Sequence, residues 1–344
     1  MPLQIAMVHH DLMARNILRK VIAAAPDYVL AWEAAGGREV IERCRTSRPD
    51  LLLVDLSLPD MDGAKVVCEI MKNIPCAILL LADRPENQAG KVFEAMGCGA
   101  LDAVKTPCAH ENGLLTGDGH LLKKIAILSK ILHKRDHPAH PAAKGNHFPG
   151  QKTKLVAFGS STGGPKALAT IFSALPPDIP AALVVVQHVD IQFASGLSDW
   201  LNSQTRIPVR LAEEGMKPLP GVILLAGTND HLVLGEDLTF HYSIHPRDYP
   251  YRPSVNVFLD SLNQHWPSKD LAVLLTGMGR DGGAGMAALK KSGWHTITQD
   301  EKTSIVYGMP AAAVEMGGSS ESLPLEEIAG AILKKLAQTD VAKK

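Results

Sequence analysis

The chain has 344 residues, long enough for two domains with separate cores. It is 46% hydrophobic and 21% charged, with a formal net charge of -1, so it lacks the basic excess expected of a nucleic-acid or membrane-surface protein. The start MPLQIAMVHHDLMAR carries no secretory-signal pattern, and apolar runs such as Leu79 to Ala82 or Ala181 to Val186 are too short to span a bilayer; both predict a cytoplasmic protein that is not membrane-inserted.

The first ~110 residues alternate strand-like and helix-like segments, the pattern of a parallel sheet with helices on both faces. Strands are predicted at Leu3 to Val8, Val29 to Trp32, Leu51 to Val54, Ala77 to Leu81 and Leu101 to Val104. Five β-α units imply an α/β domain of flavodoxin-like order, a five-stranded parallel sheet with its site at the C-terminal strand ends. All five cysteines (Cys44, Cys68, Cys76, Cys98, Cys108) lie in this third of the chain in no zinc-like spacing. They are expected to be reduced thiols, and any nucleophile further along is not a thiol. In 119–135, Leu121, Leu122, Ile125, Leu128 and Leu132 recur at helical spacing, predicting an amphipathic helix that docks on one or both domains. Residues 136–150 (DHPAHPAAKGNHFPG) read as a stiff solvated linker. The expected domains are 1–118, the linker 119–151, and 152–344.

A second α/β series follows, predicting a doubly wound, mostly parallel sheet. Strands are expected at Leu155 to Phe158, Ala182 to Val186, Val222 to Ala226 and Leu271 to Leu275, with a hairpin across His231 to Phe240. Helices are expected after Gly164, near Gln192, near Ser254, after Gly282 and near Leu325. Three strand ends carry chemistry. Gly159-Ser160-Ser161-Thr162-Gly163-Gly164 contains G-x-S-x-G, a turn that exposes a serine above a sheet and points helix N–H groups at an oxyanion. A phosphate-binding glycine turn or a plain helix cap would read the same way. His188 follows a β-branched run; it is a general-base candidate or a structural histidine. Asp281 lies in Thr276-Gly277-Met278-Gly279-Arg280-Asp281, either as a helix N-cap or as the carboxylate that orients an imidazole. Together they supply nucleophile, base and orienter in the order Ser, His, Asp, which is not the α/β-hydrolase order. A dinucleotide fold is disfavoured because the turn reads G-x-x-x-G-G and no acid stands about 20 residues on at the end of the second strand, where His188 falls instead. No helix-turn-helix supports a DNA-binding regulator.

Residues 154 to about 338 resemble the catalytic domain of chemotaxis protein-glutamate methylesterases, the CheB family. The resemblance runs through GSSTGG (159–164), VQHV (186–189), GTNDHL (227–232), RPSVNVF (252–258), LTGMGRDG (275–282) and VYGMP (306–310). It implies Ser161 as nucleophile rather than Ser160, His188 as base, Asp281 as orienter, and the N–H groups of Thr162 and Met278 as oxyanion donors. It also implies that Arg252-Pro253-Ser254 lines the substrate cleft and that His231 is structural. The implied reaction is hydrolysis of glutamate γ-methyl esters, with glutamine deamidation by the same route, on the cytoplasmic helical bundle of methyl-accepting chemoreceptors. No cofactor is needed for that chemistry. The competing reading is a regulatory module that sequesters a receptor or kinase without turnover.

Residues 1 to about 118 resemble a two-component receiver, which implies a histidine kinase partner and Asp55 as phospho-acceptor. Leu53-Val54-Asp55 followed by Leu58-Pro59-Asp60-Met61-Asp62-Gly63 carries the match. The surrounding chemistry departs from it. The Mg²⁺-holding acid pair after strand one is replaced by His9 and His10, with Asp11 one step on. No hydroxyl follows Leu79-Leu80-Leu81-Ala82, and Thr106 stands at the lysine position with Lys105 one early. Weak or absent phosphorylation is expected, with no Mg²⁺ ligand set assigned; Asp11 and Lys105 are the substitutes that keep the other outcome open. CAILL, DRPEN and VFEAMGCGALD resemble the receiver of Wsp-type surface-sensing methylesterases. In the family the receiver covers the catalytic cleft, so a receiver that is not phosphorylated implies release by another partner that binds the open state better.

Overall fold

Near-continuous runs of Leu, Ile and Val, buried on both faces, form the central strands of two parallel sheets. The computed structural model describes residues 2–83, 85–109, 115–132 and 154–338. These fall into two compact units divided at 137/138.

The first unit holds β1 (Leu3–Val8), α1 (Leu12–Ala23), β2 (Tyr28–Ala34), α2 (Gly37–Thr46), β3 (Leu51–Asp55), α3 (Gly63–Asn73), β4 (Ala77–Ala82), α4 (Pro85–Cys98) and β5 (Asp102–Lys105). A two-residue ladder, β6 (Cys108–Ala109) with β7 (Leu115–Thr116), then leads to α5 (Asp118–Leu132). The main sheet is parallel in the order β2-β1-β3-β4-β5, the expected flavodoxin-like arrangement. The two acids of the Pro59–Gly63 segment start helices. Asp60 accepts the Gly37 and Arg38 N–H groups at 2.7 and 3.0 Å where α2 begins. Asp62 caps α3 through Ala64 N at 2.9 Å. In α5, Leu121, Ile125 and Leu128 are buried, and the helix packs on α1 and β5 of its own unit. The segment 136–150 lies outside the described residues.

One expectation is overturned. Cys68 on α3 and Cys98 at the end of α4 are joined by a disulfide, with Cα atoms 5.0 Å apart. Nothing in a one-dimensional spacing of 30 residues shows that these helices lie side by side and present the two Cβ atoms to each other. Cys44, Cys76 and Cys108 are free.

The second unit holds β8 (Lys154–Ser160), α6 (Gly164–Ala174), β9 (Ala181–Gln187), α7 (Ile191–Gln204), β10 (Val209–Leu211), β11 (Ile223–Leu225), β12 (His231–Leu234), β13 (Phe240–Ser243) and α8 (Val255–His265). It continues with β14 (Leu271–Leu274), α9 (Gly283–Lys291), β15 (His295–Gln299), α10 (Met309–Glu315), β16 (Glu321–Leu323) and α11 (Leu325–Gln338). Seven strands form a parallel sheet in the order β10-β11-β9-β8-β14-β15-β16. The edge strands β10 and β16, the short inner strand β15 and the helix α10 have no counterpart in the sequence reading, because three to seven residues of mixed polarity carry no clear period. The predicted hairpin exists as the antiparallel pair β12–β13, with its second strand beginning at Phe240 rather than ending there.

The Cys68–Cys98 loop gives the first test. On the loop-entropy scale, closing about 30 residues stabilises by roughly 3–4 kcal/mol. Reductant is expected to speed amide exchange in α3 and α4 while α6 and α8 stay unchanged. Exchange insensitive to reductant would mean the bridge contributes nothing.

Candidate active site

β8 lies where the second unit reverses direction, with β9 and β11 on one side and β14 on the other. In open parallel sheets, ligands bind in the crevice outside the carboxyl strand ends at such a switch point. In the β8–β9 ladder Ser160 pairs with Gln187, and His188 N donates to the Ser160 carbonyl at 2.9 Å. Ser161 and His188 are the next residues on adjacent strands, whose backbones run roughly 5 Å apart.

Their surroundings separate the two serines. Ser160 is fully buried and donates to Gln187 Oε1 at 2.6 Å. Gln187 Nε2 donates in turn to the carbonyls of Ser161 and His188 at 2.9 and 3.1 Å. Ser161 is half-buried and stands free of this network through its side chain. The turn then enters α6 through Gly163, whose φ of +79° is a left-handed conformation suited to glycine.

Asp281 comes from the loop after β14 and is buried. It does not cap the helix that follows it, since the N-cap of α9 is Gly282. Its carboxylate instead sits on the N-terminus of α8. Oδ1 accepts from Ser254 Oγ at 2.9 Å and from Asn256 N at 3.0 Å, while Oδ2 accepts from Val255 N at 2.7 Å. His188 Nε2 lies 2.8 Å from Oδ2. Burial pushes the Asp281 carboxyl up, but the His188 bond and charge and the Asn256 and Val255 N–H groups outweigh it and hold the group below its ordinary value. With Nε2–H donated to Asp281, the lone pair belongs to His188 Nδ1, which is buried and has no hydrogen-bond partner. The Ser161 hydroxyl is therefore not on the imidazole here; such contacts often form only with substrate in place.

Thr276 joins the loops around the crevice. Its carbonyl accepts from Ser161 N at 3.0 Å. Its hydroxyl donates to the Thr162 carbonyl at 3.0 Å and accepts from Val306 N at 2.8 Å. Among the described residues the backbone N–H groups of Thr162 and Met278 have no acceptor within the protein, as oxyanion donors require. Gly277 passes so close that a Cβ there would stand 2.2 Å from Met309 Sδ and 2.9 Å from Ser161 Cβ.

The other histidines stand apart. His231 is buried, accepting from Ser254 N at 3.1 Å and facing the Pro246 carbonyl at 3.2 Å, so it supports the start of α8. His241 pairs with Glu214 at 2.6 Å and His295 with Glu321 at 2.9 Å.

In the first unit Asp55 ends β3 and is fully buried. Its Oδ2 lies 2.7 Å from His10 Nδ1 and 3.6 Å from His9 Nδ1, and its Oδ1 accepts from Ser57 N at 2.8 Å. His9 Nδ1 accepts the Asp11 N–H at 3.1 Å, and its Nε2 faces Asp83 at 3.4 Å. The His9 contact holds Asp83 down to about 2, against the burial that pushes it up. Asp11 accepts from Met13 N at 2.7 Å as the N-cap of α1. Magnesium wants a near-octahedral shell of hard oxygens. A pocket whose clustered donors are one carboxylate and two imidazoles, with Asp83 turned to His9 and Asp11 capping a helix, does not fit it.

A CheB methylesterase profile matches residues 156–332, and a response regulator receiver domain profile matches residues 5–115. The chain belongs to the CheB methylesterase family. It is 45% identical over 327 residues to a protein-glutamate methylesterase/protein-glutamine glutaminase of Cupriavidus metallidurans, covering 95% of this chain and 96% of that one. A protein of the same name from Pseudomonas savastanoi pv. phaseolicola is 43% identical over 336 residues, covering 98% and 100%. The crystal structure of the Thermotoga maritima CheB methylesterase catalytic domain aligns with a TM-score of 0.51 at 35% identity, over 54% of this chain and 99% of that one.

In this CheB-family chain the fold brings His188 and Asp281 into contact and sets Ser161 at the strand end next to that of His188. Tyr251, which no sequence motif singles out, stacks its ring on His188 with centroids 4.7 Å apart and planes 7° apart. Burial pushes the Tyr251 phenol above its ordinary value, and the Asp281 charge adds to that. Ser254, expected to line the substrate cleft, is instead fully buried against Asp281. Arg252 is ion-paired with Asp230 at 2.6 Å. No periodicity marks such residues; only the RPSVNVF segment pointed near them.

Gly277→Ala should destabilise the second unit by about 1–3 kcal/mol, since backbone and the Met309 side chain must give way. Thermal unfolding reads this directly, and an unchanged midpoint would show that the loop has room.

Proposed function

We propose that this protein hydrolyses the γ-methyl esters of glutamate residues on the cytoplasmic helical bundle of methyl-accepting chemoreceptors, and deamidates glutamines there. The observation that carries this reading is the Asp281–His188 pair, which leaves His188 Nδ1 without a hydrogen-bond partner on the strand end next to that of Ser161. The names of the relatives support the substrate class.

Ser161 Oγ attacks the ester carbonyl as His188 Nδ1 takes its proton. Asp281 keeps Nε2 protonated and stabilises the imidazolium, while Tyr251 holds the ring plane. The oxyanion is received by the Thr162 and Met278 N–H groups at the start of α6 and in the β14 loop. The His188 proton passes to the departing methoxide, and methanol leaves. Water, deprotonated by the same nitrogen, then releases the glutamate and regenerates Ser161. For glutamine the leaving group is ammonia. The unit from 152 onward carries this chemistry, and the receiver at 1–118 gates it. A histidine kinase complex is the receiver's partner, and the substrate makes the working location cytoplasmic. Because Asp55 is already engaged by His10 and Ser57, gating does not depend on ready aspartyl phosphorylation.

Methanol release from a methylated receptor fragment tests the reading. Ser161→Ala should lose at least about 10³-fold, and Asp281→Asn about 10⁴-fold through the wrong imidazole tautomer. Ser160→Ala should stay within about tenfold while losing roughly 1–3 kcal/mol of stability, because it leaves Gln187 Oε1 unpaired. A wild-type protein that binds receptor but releases no methanol would make this a sequestering module. Acetyl phosphate with Mg²⁺ is expected to leave no stable adduct on Asp55; an adduct there would restore phosphorylation as the gate.

A further inference from the structure

We propose that His9, His10 and Asp55 form a binding site for a divalent first-row transition metal of borderline softness, with zinc as the probe. This site stands in the position where a receiver's acid pair would hold magnesium. The inference is independent of the hydrolase reading of the second unit.

The donor set decides the ion. Two imidazoles and one carboxylate suit zinc, nickel, cobalt or copper and are poor ligands for magnesium. The geometry is already close. One donor atom from each residue lies within 4.8 Å of the other two. His10 Nδ1 and His9 Nδ1 stand 2.7 and 3.6 Å from Asp55 Oδ2. Donors in a tetrahedral site with bonds of about 2.0–2.1 Å sit roughly 3.3 Å apart; the two separations to Asp55 bracket that value, and the three donors, all within 4.8 Å of one another, need only draw together around an ion.

The outer contacts suit a metal as well. Asp55 Oδ1 is fixed by Ser57 N at 2.8 Å, leaving Oδ2 as the ligand oxygen. His9 Nε2 is buried without a hydrogen-bond partner and faces the Asp83 carboxylate at 3.4 Å, within reach of the carboxylate–imidazole contact that orients metal-bound histidines once the ring settles on an ion. The two rings stack with centroids 5.2 Å apart, so they stand together at the end of β1. Binding gives up one hydrogen bond, from Asp11 N to His9 Nδ1, and the Asp11 carboxylate remains the cap of α1. His9 and Asp55 are buried, whereas the His10 side chain is 42% exposed, which provides an entry path and leaves the fourth position to water. A metal there takes the Asp55 oxygen that would otherwise attack a phosphoryl donor. Metal occupancy then replaces phosphorylation as the state variable of the receiver.

Full-length protein, freed of metal, is titrated with Zn²⁺ by calorimetry and with Co²⁺ by visible absorption, alongside His10→Ala and Asp55→Asn. The wild type is expected to bind one more equivalent than either variant, or to bind it at least about 100-fold more tightly, with Mg²⁺ neither binding nor competing. Equal stoichiometry and affinity in all three would locate the metal at other histidines and overturn the proposal, as would no binding to wild type. X-ray absorption of the zinc-loaded wild-type protein needs no variant. Two imidazole nitrogens with oxygen in the remaining shell support the site, and any other ligand count refutes it.

Discussion

The buried carboxylate of Asp281 is the constraint around which the second unit is arranged. A charge at that depth is tolerated only when its oxygens are fully occupied by donors. Here the donors are two N–H groups and one hydroxyl from the first turn of α8, and the imidazole of His188. The start of α8, the end of the β14 loop and the end of β9 must therefore meet at one point. The positive end of the helix favours the anion, and the anion fixes both the plane and the tautomer of the ring. Ser254 and His231, which look remote from any chemistry in the chain, belong to this support: one donates to the carboxylate and the other receives the Ser254 N–H.

The crevice also depends on loops that carry no reactive group. Thr276 ties the Ser161 turn to the segment at Val306, and Gly308 and Met309 donate to the Gly277 carbonyl. This clasp holds the Ser161–Thr162 turn against the Met278 loop, so that two unpaired N–H groups stay available. Preorganisation of this kind costs nothing further at the moment of reaction.

The receiver repeats one element of this design to a different end. Asp55 is also a buried aspartate at the end of a parallel strand, and it also meets an imidazole. In the hydrolase unit one carboxylate orients one ring whose far nitrogen is left free to act. In the receiver two rings crowd one carboxylate where other receivers gather acids. The same fold therefore carries a donor set richer in nitrogen than in oxygen at this strand end.

The sequence by itself determined the two α/β sheets, because the long apolar runs of β3, β4, β8 and β9 can be buried only on both faces of a parallel sheet. It also determined the strand-end positions of Ser161, His188 and Asp55, which close such runs, and of Asp281 in the glycine-rich loop after the run of β14. Only the tertiary structure decided which serine is free. Ser160 and Ser161 are identical in type, and it is the partner strand's Gln187 that engages one of them. Contacts between segments far apart in the chain also decided that Asp281 sits on α8 rather than capping α9, that Tyr251 backs His188, and that Cys68 and Cys98 meet. Such pairings depend on how helices and loops pack across a sheet, and a local pattern of residues holds no record of what lies opposite.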